Sequence, residues 1–126
     1  MKFASNIPIY LQIIDWVKEQ IITETFPPGY QLPSRRQLAA EWKVNPNTVQ
    51  KALKEMEESG MIQTQAQKPS TITQNSELIH QLKLERVDQS IQSLVDVMVP
   101  MGINLETVMN RIQERYQAVK EESIHD

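Results

Sequence analysis

Residues 32–65 read LPSRRQLAAEWKVNPNTVQKALKEMEESGMIQTQ. Three local signals divide this stretch. Ser34, with Gln37 three positions on, has the form of a capping box and starts a helix. Val44-Asn45-Pro46-Asn47 is a turn in which Asn45 caps a second helix and Pro46 is its first residue. Ser59-Gly60 stops that helix, glycine being suited to a left-handed cap. Leu38, Ala39 and Trp42 fall on one side of the first segment, and Val49, Ala52, Leu53 and Met56 on one side of the second. The other side of the second carries Asn47, Gln50, Lys51 and Lys54 at the i, i+3, i+4, i+7 spacing. The stretch therefore reads as helix, tight turn, helix, then strand.

Its surroundings extend the pattern. Upstream, Asn6 is placed to cap a helix with Pro8 in its first turn, and Tyr10, Ile13, Ile14, Val17, Ile21 and Ile22 recur at helical spacing. Pro27-Pro28-Gly29 ends that helix, and Gln31-Leu32 suits a short strand. Downstream, Met61 to Gln65 and Ser70 to Thr73 have strand composition and flank the tip Ala66-Gln67-Lys68-Pro69. The fold class this predicts is mainly α with a small β-hairpin: a winged helix-turn-helix over residues 1–73.

Residues 74–126 form a separate helical region. Asn75 or Ser76 can cap a long helix in which Leu84, Val87, Ile91, Leu94 and Met98 are spaced three, four, three and four, the seam of a coiled coil. Pro100-Met101-Gly102 is expected to break it. Asn104 then caps a last helix with Leu105, Val108, Met109, Ile112, Tyr116 and Val119 on one side, and residues 121–126 are expected to fray. Two amphipathic helices bury little by themselves, so Leu84, Val87, Ile91, Leu94, Met98, Val108 and Ile112 are read as the interface of a homodimer.

Composition narrows the function. The chain has 126 residues, enough for one ordinary domain or a small one with an appendage. It holds no cysteine, which excludes disulfides and thiolate metal sites and fits a cytoplasmic protein. Asp15, Lys18 and Glu19 interrupt any secretory pattern, and no apolar run nears the ~18 residues of a membrane span. His80 and His125 lack metal-ligand spacing. No nucleophile has an evident base, and there is neither a glycine-rich phosphate loop nor a carboxylate pair. Neither an enzyme nor a cofactor is expected. The net charge of −3 opposes a polyanionic partner, but residues 1–73 hold eight Lys or Arg against seven Asp or Glu, while residues 74–126 hold five against nine.

The exposed face of the third helix points to double-stranded DNA. The amides of Asn47 and Gln50 can pair with an adenine edge in the major groove, and Thr48 can meet a phosphate or a thymine methyl. Lys51 and Lys54 can neutralise phosphates. Arg35 and Arg36 open the preceding helix, where cations oppose the helix dipole, so contact with phosphate or guanine explains them better than chance. Lys68 is the one cation of the wing tip. A second reading, a protein-interaction scaffold, takes its support from the weak wing and the net negative charge.

These residues also carry a resemblance. Pro8-Ile9-Tyr10 with Gln12-Ile13, Pro28-Gly29, Leu32-Pro33-Ser34-x-Arg36-x-Leu38-Ala39 and Val44-Asn45-Pro46-Asn47-Thr48-Val49-x-x-Ala52, closing with Leu53, Glu57, Gly60 and Ile62, resemble the GntR family of bacterial transcription regulators. The short C-terminal part is similar to the YtrA-like subfamily by length and helical pattern. The resemblance implies a homodimeric regulator, usually a repressor, on a palindromic operator, with the third helix of each copy in a major groove. It carries DNA contact onto Ser34, Arg36, Asn45, Asn47, Thr48, Gln50 and, in the wing, Lys68. Arg35 stands where many members have an apolar or acidic residue, and Gln50 where many have Arg. Ala66-Gln67 replace a basic, glycine-containing tip. About 50 residues follow the wing, too few for the separate metabolite-binding domain of larger members, so the resemblance leaves the effector open.

Overall fold

Helix α1 (Ile9–Ile22) turns Ile13, Val17 and Ile21 inward, each almost fully buried, as the spacing of its apolar residues requires. Its start differs from expectation. Pro8 itself is the cap residue and no side chain caps the helix. The amide of Gln12 does the fastening instead of Asn6. Its Nε2 donates to the carbonyls of Ala4 and Ile7 at 2.9 and 2.8 Å, and its Oε1 accepts from the Ala4 N–H at 2.8 Å. A longer side chain one turn inside the helix reaches back to groups that Asn6 leaves unserved. The computed structural model describes residues 1–125 and, of the last of these, the backbone only.

Helices α2 (Arg35–Trp42) and α3 (Pro46–Glu58) follow their local signals closely. Ser34 Oγ accepts from the Gln37 N–H at 3.1 Å while Gln37 Oε1 accepts from the Ser34 N–H at 2.9 Å, so both halves of the capping box are made. Asn45 Oδ1 accepts from the Asn47 N–H at 2.8 Å, with Pro46 at the first helical position. Between them Lys43 takes a left-handed conformation at φ 56°, and the Val44 N–H reaches back to the Ala39 carbonyl at 3.0 Å. That single residue makes the turn tight. Leu38, Ala39 and Trp42 from α2 meet Val49, Ala52 and Met56 from α3 in one core with the buried side of α1. Gly60, at φ 84°, closes α3: its N–H bonds to Glu57 O and that of Met61 to Met56 O, the paired bonds of a Schellman cap.

The hairpin is shorter than its composition predicts. β1 (Ile62–Gln63) and β2 (Thr71–Ile72) pair antiparallel, Ile62 opposite Ile72 and Gln63 opposite Thr71. The rest of β2's pairing goes to the segment before α2. Gln31 bridges Thr71, Leu32 N–H donates to Ser70 O, and Gly29 N–H and Tyr30 O bond to Ile72. The expected strand at Gln31-Leu32 is thus an isolated bridge that ties the wing to the entrance of α2.

Helix α4 (Ser76–Met101) is capped by Asn75, whose Oδ1 accepts from the N–H groups of Glu77 and Leu78. Pro100 lies inside α4 and does not break it. Pro100 is one residue from the end, so little helix follows for it to disrupt, and the helix stops where Gly102, at φ 69°, allows a second Schellman cap. Helix α5 (Leu105–His125) starts at Asn104, whose Oδ1 accepts from the Glu106 N–H at 2.7 Å. Helical backbone continues through residues expected to fray, as that stretch holds no glycine or proline, and Asp126 lies outside the described residues. The chain forms two compact units, Met1–Glu85 and Arg86–Asp126. The first includes the opening turns of α4 because Leu82 is buried in its core, with Ile79 packed alongside. No helix among the described residues is long and apolar enough to cross a membrane.

Candidate nucleic-acid interface

The polar side of α3 is held away from the core by the burial of its other side. Val49 and Ala52 are wholly enclosed, so positions 47, 50, 51 and 54 must face outward, and all four are exposed. The start of α2, one flank of α3 and the wing enclose an open groove of about 870 Å³. Its walls include Ser34, Arg35, Arg36, Gln50, Lys54 and Lys68. Residues 15 to 34 positions apart in sequence thus share one surface. Four of its lining groups are cations and one, Glu57, is a carboxylate, so this face is positive although the whole chain is negative. The side chains of Arg36, Lys54 and Lys68 are exposed and have no hydrogen-bond or ion-pair partner among the described residues.

The other sequence candidates lie outside the groove's lining or have tasks of their own. Asn45 is exposed, but its carbonyl oxygen is committed to the cap of α3. Asn47 is exposed on the first turn, and Thr48 beside it is half-buried. Lys51 leans towards α1, its Nζ 4.0 Å from the centre of the Tyr10 ring, a cation–π contact that holds its charge at the flank of α3. Ser34 combines a place in the groove wall with the capping box, so it orders the turn that presents both arginines.

Two features carry no signal in the sequence that would have revealed them. Arg35 Nη1 donates to Gln50 Oε1 at 3.1 Å, joining the start of α2 to the exposed face of α3. Nothing in residues fifteen apart announces this contact, which arises from the angle between the helices. At the wing tip the Lys68 N–H bonds to Gln65 O, and Gln67 takes φ 64° at the turn position that ordinarily holds glycine or asparagine. Gln67 and Ser70 also line the groove. For Gln67 no compositional signal existed, since the tip holds no glycine to mark the turn.

Comparison with known proteins identifies the family. Residues 9–72 match the family described as bacterial regulatory proteins, gntR family. The HTH-type transcriptional repressor YtrA of Bacillus subtilis (strain 168) is 35% identical over 117 residues, which cover 92% of this chain and 90% of YtrA. The HTH-type transcriptional regulator YhcF of the same organism is 33% identical over 112 residues, 89% of this chain and 93% of YhcF. A GntR family transcriptional regulator from Listeria monocytogenes superposes with a TM-score of 0.77 at 32% identity, covering 89% of this chain and 98% of that one. The family match over residues 9–72, in a chain that follows these relatives almost end to end, places it in the GntR family as a DNA-binding transcriptional regulator and not an enzyme.

Proposed function

We propose that the protein is a repressor that binds a palindromic operator as a homodimer, each copy laying α3 in a major groove. The observation that carries this reading is the groove itself: the cations of α2, α3 and the wing line one open surface beside the exposed amides of α3. In the proposed complex Asn47 and Gln50 reach base edges and Thr48 and Ser34 meet sugar or phosphate. Arg36, Lys54 and Lys68 neutralise phosphates, with Lys51 and Asn45 at the margin. Lys68 lies on the groove wall, which supports a phosphate contact from the wing.

Pairing is supported by apolar side chains left in solvent. Val87, Ile91, Leu94 and Ile112 are 51%, 50%, 37% and 51% exposed, far more than such residues keep in a finished core. Leu84 is similarly open, Val108 half-buried, and Met98 buried. A second copy is the occupant that residues 74–126 are proposed to take. Two-fold symmetry then requires an inverted repeat, with half-sites about 34 Å apart or a multiple of that. The relative named a repressor supports the sign of regulation, and the bacterial cytoplasm is the proposed place of action. Selection from random duplexes at moderate salt, with sedimentation of free and bound protein, tests the reading. An enriched inverted repeat bound by two chains is expected. Weak retention without any motif, or a single chain per site, would overturn it.

A further inference from the structure

The contact between Arg35 and Gln50 bears on which base the third helix reads, an inference that rests on the proposed seat of α3 in the major groove. A glutamine that pairs with adenine uses both ends of its amide. Its NH₂ donates to N7 while its oxygen accepts from the N6 amine. Here that oxygen lies 3.1 Å from a guanidinium nitrogen of Arg35. Arginine has no acceptor, so the atom it touches must be the oxygen, and the orientation of the amide is settled by chemistry. Gln50 therefore turns its two N–H donors away from Arg35. The oxygen keeps a second lone pair, but an adenine amine that used it would sit beside the guanidinium's own donors, like beside like. A guanine edge, with acceptors at both O6 and N7, meets only donors. Both side chains are exposed and both line the groove, so the pair can address one base together.

We propose that Arg35 is a specificity-determining residue that acts through Gln50: it holds the amide with its donors outward, so that each half-site favours guanine over adenine at the position Gln50 faces. Arg35 thus acts on a base through Gln50 and is not counted among the phosphate contacts. Its loss removes the competing donor and leaves Gln50 to the two-ended pairing that adenine fits.

The test is selection from random duplexes with the full chain, its Arg35→Ala variant and its Gln50→Ala variant, followed by competition binding of sites that differ at one base pair. Gln50→Ala is expected to flatten preference at one position per half-site. The unaltered chain is expected to favour guanine there by at least about fivefold. Arg35→Ala is expected to move that same position towards adenine while the rest of the site stays as it was. Circular dichroism melting confirms that both variants fold, each change being on an exposed side chain. If Arg35→Ala weakens binding to all sequences alike and leaves the Gln50-dependent position unchanged, this inference fails while the reading of the groove stands. The same holds if that position is adenine in the unaltered chain. If the unaltered chain enriches no motif, or Gln50→Ala alters no position, both fail together.

Discussion

Replacing Arg36 with alanine separates electrostatic docking from fold. The guanidinium is exposed, lines the groove, and has no partner among the described residues. Its removal should change stability by no more than about 0.5 kcal/mol, as for other surface positions without a special contact. Its effect on DNA binding should be large. With Arg35 engaged by Gln50, three cations of the groove remain for phosphates: Arg36, Lys54 and Lys68. A dimer then makes roughly six such contacts, and each contributes about 0.9 to the slope of log affinity against log salt. The expected slope is about −5, which between 50 and 200 mM salt costs on the order of a thousandfold in affinity. Arg36→Ala removes one contact from each copy and should bring the slope to about −3.6, with preference among sequences unchanged. Fluorescence anisotropy on a labelled operator across a potassium chloride series reads both quantities. A slope that stays the same would refute the placement of Arg36 on a phosphate. So would a melting temperature that falls with the affinity, since the loss would then be one of folding.

Three more outcomes are expected from local geometry. Ser34→Ala breaks the capping box and should cost about 1 kcal/mol in urea unfolding, whereas Ser34→Asp, which can still cap, should cost less. Gly60→Ala forces a side chain into φ 84° and brings its Cβ to 3.4 Å from Leu78 Cδ2. The strain should lower stability by about 1–2 kcal/mol, and an unchanged urea midpoint would show that the cap relaxes. Ile91→Asp puts a charge on a residue that is half exposed in the single chain, so melting of a dilute sample should barely change while sedimentation shifts to monomer. A variant that still sediments as a dimer would move the interface elsewhere.

The parts of the fold that were legible in the sequence are those written in short-range code. Ser34 with Gln37, Asn45 with Pro46, Gly60, Asn75 and Asn104 each act within a few residues of themselves, and each side chain or backbone does in space what its spacing says. The buried sides of α1, α2 and α3 were likewise set by periodicity. The failures share one cause, a partner distant in sequence or a competitor nearby. Asn6 caps nothing: Pro8 is the cap residue of α1, and Gln12 ties down Ala4 and Ile7 ahead of the helix. Pro100 had too little helix after it to matter, and Gly102 did the stopping. The hairpin's length depended on Gln31 and Tyr30, which share β2 with β1. Of the site, the exposed face of α3 could be read from its apolar opposite. The contact of Arg35 with Gln50 and the lean of Lys51 over Tyr10 could not, because helix packing angles create them.

The chain contains no cysteine, so Asn47→Cys offers a unique attachment point on the exposed first turn of α3. An iron chelate tethered there cuts DNA within reach of that turn. With operator DNA, the expected result is two clusters of cuts, one in each half-site, about one helical turn or a multiple of it apart and centred on the major groove. Faint, uniform cutting, or no cutting while the duplex stays bound, would place α3 away from the bases and contradict the central claim.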